Sequence, residues 1–189
     1  ALAMELPNGT QRDLVQQQIE WTQDKSAIPA LKTIAQTSTR PEVRIQALST
    51  WANLEMPTVD VLLMLLHDKS PHVRRHAVRV SEPQLKTSPE LAAAMVALAT
   101  DSDATVRMQV AYSSAFLTPA DSAKSLSAMI AVDHGDAHLQ SAEESALTVD
   151  NIMLVLRNLK QNSAAGIDVD RLLLNAATLA DANAMRTIL

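Results

Sequence analysis

Apolar residues recur along this chain at intervals of three and four, with polar residues filling the gaps. Ile28, Leu31, Ile34 and Ala35 share one helical face, and after Arg40-Pro41 so do Val43, Ala47, Trp51 and Leu54. Further sets are Val59, Leu62, Leu63 and Leu66; Val73, Ala77 and Val80; Leu91, Met95 and Leu98; Val106, Val110 and Leu117. Ala123, Leu126, Met129 and Ile130 come next, then Leu139, Ala142 and Ala146, then Ile152, Leu156 and Leu159. That spacing lays each set along one stripe of a helix with 3.6 residues per turn. Pro57, Pro71, Pro89 and Pro119 mark helix starts, where the missing N–H has no partner to lose. Asn8-Gly9 predicts a turn, with Thr10 and Asp13 as a capping box opening a helix to about Gln23. Asn8-Gly9-Thr10 also fits a glycosylation acceptor, although the turn and cap explain it. Glu82-Pro83 ends one helix, and residues 161–168 break the pattern. Leu172, Leu173, Ala176 and Leu179 mark a last helix, followed by a frayed one over 181–189.

One motif returns. Ser38-Thr39-Arg40-Pro41-Glu42-Val43-Arg44 is echoed by Asp68-Lys69-Ser70-Pro71-His72-Val73-Arg74 and by Asp101-Ser102-Asp103-Ala104-Thr105-Val106-Arg107. A worn fourth copy runs from Gly135 to Ala142, so the anchors Val43, Val73, Val106 and Leu139 are 30, 33 and 33 residues apart. A fixed period in this range means stacked supersecondary units, each burying its apolar face against its neighbours. The expected fold is all-α: a right-handed superhelix of stacked antiparallel helix pairs over residues 1–160. Residues 161–189 form a C-terminal helical cap or the start of a further domain. The expected core includes Leu31, Val43, Ala47, Leu62, Leu66, Val73, Ala77, Leu98, Val106, Val110, Leu126 and Ile130.

Composition agrees. Apolar residues make up 47% against 2% aromatics, and Ala, Leu, Gln and Met favour helices over strands. The net charge of −5 with no long basic run argues against a nucleic-acid partner. No apolar stretch is long enough to span a membrane, and no signal-peptide pattern opens the chain. The opening Ala1-Leu2-Ala3-Met4 reads as a segment of a longer protein. With no Cys, the segment forms no disulfide, thiolate zinc site or covalent haem attachment, and no cofactor is expected in it.

The repeated polar residues carry the candidate chemistry. A carboxylate or hydroxyl six residues before each Arg is placed to cap the second helix of its repeat. Stacking then sets Arg44, Arg74 and Arg107 near Asp68 or Asp101 of their own or the adjacent repeat, as a charge-assisted ladder. The alternative is that these arginines bind an anionic ligand. Arg75 and Arg79 with His72 and His76 form the concentrated cationic patch, read either as a docking surface or as a solvated face. His72 and His76 also have the spacing of two metal ligands on one helix face, but no third ligand accompanies them and adjacent arginines repel a cation. The turn Asp133-His134-Gly135-Asp136-Ala137-His138 is a second metal candidate, equally explained as a capped turn. Glu143-Glu144 and Asp101/Asp103 read as surface and turn residues, and Trp21 and Trp51 as core or groove packing. No nucleophile motif, Gly-rich phosphate loop or paired-carboxylate cleft is visible.

The helix pairs with Asp…Val-Arg at the turn resemble HEAT repeats of the short type. Four segments together, residues 6–13, 28–31, 73–83 and 101–109, resemble the HEAT-repeat region of large membrane-bound dehydrogenases of planctomycete-type bacteria that carry haem-binding Cys-x-x-Cys-His domains. Where that family's opening usually carries aromatics after the Gly, Thr10-Gln11 stand here. The resemblance implies a HEAT-like α-solenoid lying between a β-propeller dehydrogenase domain and a haem domain. It implies a non-catalytic scaffold whose partners are the parent's other domains or another protein, in a periplasmic or membrane-associated setting. Two rivals share the fold: a HEAT-like DNA glycosylase, which needs a basic groove, and a phycobilin-lyase-like pigment binder, which needs a tetrapyrrole pocket.

Overall fold

A computed structural model describes residues 2–132, 136–161 and 169–179, and the chain divides into two compact units, Ala1–Ser81 and Glu82–Leu189. Every regular element among the described residues is helical.

In the first unit a short 3-10 turn, Leu2–Glu5, precedes α1 (Gly9–Thr22), α2 (Ile28–Thr37), α3 (Pro41–Leu54), α4 (Val59–Leu66) and α5 (Pro71–Ser81). α2 pairs with α3 and α4 with α5, while α1, α3 and α5 pack in series as one layer and α2 and α4 as the other. Pro41 and Pro71 sit at first helical positions. Pro57 does not. There Thr58 is the cap residue and the helix opens at Val59. α1 is capped by Asn8, whose side chain accepts the Gln11 N–H, and not by Thr10, which already lies inside the helix. Asn8 wins because its extended backbone lets its short amide reach the first turn.

The second unit repeats the plan with α6 (Pro89–Ala97), α7 (Ala104–Ser113), α8 (Pro119–Ile130), α9 (Ala137–Ser145), α10 (Ile152–Gln161) and α11 (Val169–Leu179). α6, α8 and α10 pack in series, as do α7 and α9, and α11 rests on α10. Of the expected pattern break over 161–168, Gln161 still belongs to α10 and the rest lies outside the described residues, as does the frayed helix over 181–189.

The anchors Val43, Val73, Val106 and Leu139 are all buried, at no more than 2% exposed. Of the expected core only Leu98 is half-exposed. α6 ends at Ala97, and the 3-10 turn Leu98–Thr100 winds three residues per turn, so Ala99 points inward instead. Trp51 is in the core at 1% exposed, whereas Trp21 is 74% exposed. α1 presses Ile19 inward, and a residue two positions further on emerges on the opposite side of the helix. Each fully buried Leu or Val of these stripes contributes roughly 1.5–3 kcal/mol, so it is the stripes that hold the pairs together.

Candidate functional site: the repeat turn and the basic stripe

The residue five before Val43, Val73 and Val106 folds the turn that leads into each of these anchor helices. Ser38 Oγ accepts the Arg40 N–H at 3.4 Å, Asp68 Oδ1 that of Ser70 at 2.8 Å, and Asp101 Oδ1 that of Asp103 at 2.9 Å. The helix cap itself falls two residues later than the spacing suggests. Asp103 accepts the N–H groups of Thr105 and Val106, and Asp136 those of His138 and Leu139. These last two bonds, Leu139 first, hold the Asp136 carboxyl below the usual carboxylate range, with Arg107 adding a smaller pull.

The arginine after each of these three anchors clasps the same turn. Arg44 donates to Ser38 O at 2.7 Å, Arg74 to Asp68 O at 2.8 Å and Arg107 to Asp101 O at 2.6 Å. Arg44 also reaches into the next repeat, with Nη2 2.8 Å from Asp68 Oδ1 and its side chain only 4% exposed. One guanidinium thus joins two consecutive turns of the first unit. Planarity and fixed donor directions are what allow this, and Lys has neither.

A second polar network ties α1, α3 and α5 together. Gln46 on α3 accepts from Arg12 and donates to Asp13 and Gln16 on α1, and Asn53 donates to Glu20. From the same stripe of α3, Ser49 Oγ lies 2.7 Å from His76 Nε2 on α5. Gln46, Ser49 and Asn53 escaped the sequence reading; their three- and four-residue spacing was the available signal.

The four residues of the cationic patch separate accordingly. His72, Arg75 and Arg79 are exposed along α5, while His76 is half-buried against α3. Burial first, then Arg79 and Arg75, push the His76 pKa down to about 4, so the ring is neutral at pH 7. Arg75 and Arg79 have no hydrogen bond or ion pair among the described residues. His76 is engaged with Ser49, which leaves His72 without a second imidazole for a metal. In the other metal candidate, Asp133, His134 and Gly135 lie outside the described residues, and His138 is exposed. No group of three or more His, Cys, Asp or Glu side chains among the described residues is placed to hold a metal ion.

Glu143, expected at the surface, is buried at 2% exposed. It stands four after Leu139, the place held by Ala47, Ala77 and Val110 in the other copies, so the repeat register turns it inward. A cleft of about 360 Å³ in the second unit is lined by Lys86, Ser114, Thr118, Ser122, Thr148, Asp150 and Asn151 among others. It pairs no nucleophile with a base, and Asn151 is occupied with Ser122 Oγ and Ala146 O. No helix among the described residues is long and apolar enough to cross a membrane.

A family model for HEAT repeats matches residues 7–82 and, overlapping, 59–147, together more than half of the chain. A comparison with curated proteins finds no match.

Proposed function

Because the chain belongs to the HEAT-repeat family, we propose that it is a non-catalytic scaffold that holds or docks other protein domains. The observation that carries this is the investment of its polar groups in the array itself. Arg44, Arg74 and Arg107 are turned onto the repeat turns, and Gln46, Asn53 and Ser49 onto neighbouring helices. A stacked array of this kind is stiffer than a linker and presents a long face to partners. The outward-facing part of the basic stripe, Arg75, Arg79 and His72, is the proposed docking surface.

The resemblance of residues 6–13, 28–31, 73–83 and 101–109 supports a finer reading. In it, the scaffold spaces a dehydrogenase domain and a haem domain within an exported, periplasmic or membrane-associated redox protein. The experiment is to sequence the parent gene and stain its product for covalent haem. A Cys-x-x-Cys-His motif downstream and a haem-positive band support the redox parent. A parent with neither refutes that finer reading.

A further inference from the structure

We infer that Arg75 and Arg79 form a docking point for an acidic segment of a partner protein; the inference rests on the protein-interaction reading above. Arg12, Arg40, Arg44, Arg74 and Arg107 all donate hydrogen bonds within the fold, whereas Arg75 and Arg79 donate none among the described residues. The two stand four residues apart, so both project from one face of α5, about 6 Å apart at Cβ. Like charges at that spacing repel, and no carboxylate among the described residues pairs with either. A bound carboxylate pair would offset that repulsion.

The surroundings favour an acidic protein segment over other anions. The equivalent positions on the neighbouring helix α3 are Ile45 and Ser49, and Glu42, the carboxylate of that helix, makes no ion pair with either arginine. His76 lies between the arginines in sequence but is tied to Ser49, which leaves the two guanidinium groups, with exposed His72 beside them, as the available donors. Residues 1–81 carry nine basic and eight acidic side chains, net +1, whereas residues 82–189 carry seven and thirteen, net −6. The first unit therefore does not repel an acidic ligand, although the chain as a whole is negative. Two forks are enough to pair two carboxylates in bidentate fashion. They are too few for a nucleic-acid backbone, which binds through many phosphate contacts.

The test is fluorescence anisotropy of a labelled ten-residue polyglutamate against the whole chain at low salt. The expected result is saturable binding that falls at least about tenfold in Arg75→Glu/Arg79→Glu. Arg157→Glu, which reverses an exposed cation on α10 in the second unit, leaves it unchanged. Affinity also falls as salt rises toward the physiological range, as expected for exposed charges. Arg75→Gln/Arg79→Gln supplies the same comparison without adding negative charge, and circular dichroism reports that each variant is folded. Absence of saturable binding, equal loss in Arg157→Glu, or tighter binding of a ten-nucleotide oligothymidylate would overturn the inference. Any of these results with helicity retained removes the acidic docking point and leaves the scaffold reading, which the parent protein tests, intact.

Discussion

Arg44 and Asp68 join two repeats through a buried contact: Nη2 of one lies 2.8 Å from Oδ1 of the other, with 4% and 13% of their side chains exposed. Each partner has a second task, Arg44 holding Ser38 O and Asp68 accepting the Ser70 N–H. Removing one partner strands the other in a low-dielectric setting. Arg44→Ala is expected to destabilise the chain by about 3–5 kcal/mol, the usual effect of halving a buried pair. Arg74→Ala and Arg107→Ala, half-buried and bonded to carbonyls, should cost about 1–3 kcal/mol. Urea midpoints at constant m-value check the order.

His76 makes stability depend on pH. Its folded pKa of about 4 lies below the ordinary 6.5, so between those values the unfolded chain binds a proton that the folded chain does not. The stabilisation is complete above pH 6.5, declines as pH falls through the window and is gone below about 4. With partial solvent access discounted, it amounts to about 1–3 kcal/mol. Urea midpoints of the wild type and His76→Asn at pH 7.5 and 4.5 test this. The drop between the two should be smaller in the variant.

Ser125 is fully buried in α8, and its hydroxyl has no hydrogen-bond partner among the described residues. An unsatisfied buried hydroxyl is a liability, and Ala fills nearly the same space. Ser125→Ala should therefore stabilise the chain by about 0.5–1.5 kcal/mol, read as a higher melting temperature.

Asn151 is a polar clamp of the second unit. At 3% exposed it donates to Ser122 Oγ and Ala146 O and accepts the Thr148 N–H, at 3.0, 2.9 and 2.8 Å. Asn151→Ala leaves these groups buried and should destabilise by about 2–4 kcal/mol. Asn151→Asp should not restore stability, because its side chain lacks the amide donor. Thermal melts of the two variants provide the comparison.

The helix pairs were legible because the 3–4 spacing of Val43, Ala47, Val73, Ala77, Val106 and Val110 is the packing itself. Leu98 was misjudged because a change from α to 3-10 winding leaves no mark in an apolar pattern. Trp21 and Glu143 show the reverse limit. A helix at the edge of a layer exposes residues that hydrophobicity alone would bury, and a repeat register can bury a residue that charge alone would expose. The arginines of the turn were found by their recurrence, but their carbonyl acceptors were not. Carbonyl oxygens such as Ser38 O and Asp68 O belong to the backbone and carry no sequence signal.

The central claim is that the repeats of the first unit are coupled, with the turn before α3 clasping the turn before α5. Hydrogen exchange of the whole chain with and without Arg44→Ala tests it most directly. The account predicts that protection falls in both α2–α3 and α4–α5, because Arg44 belongs to the first pair and Asp68 to the turn of the second. Loss confined to α3, with α4 and α5 protected as in the wild type, would contradict it.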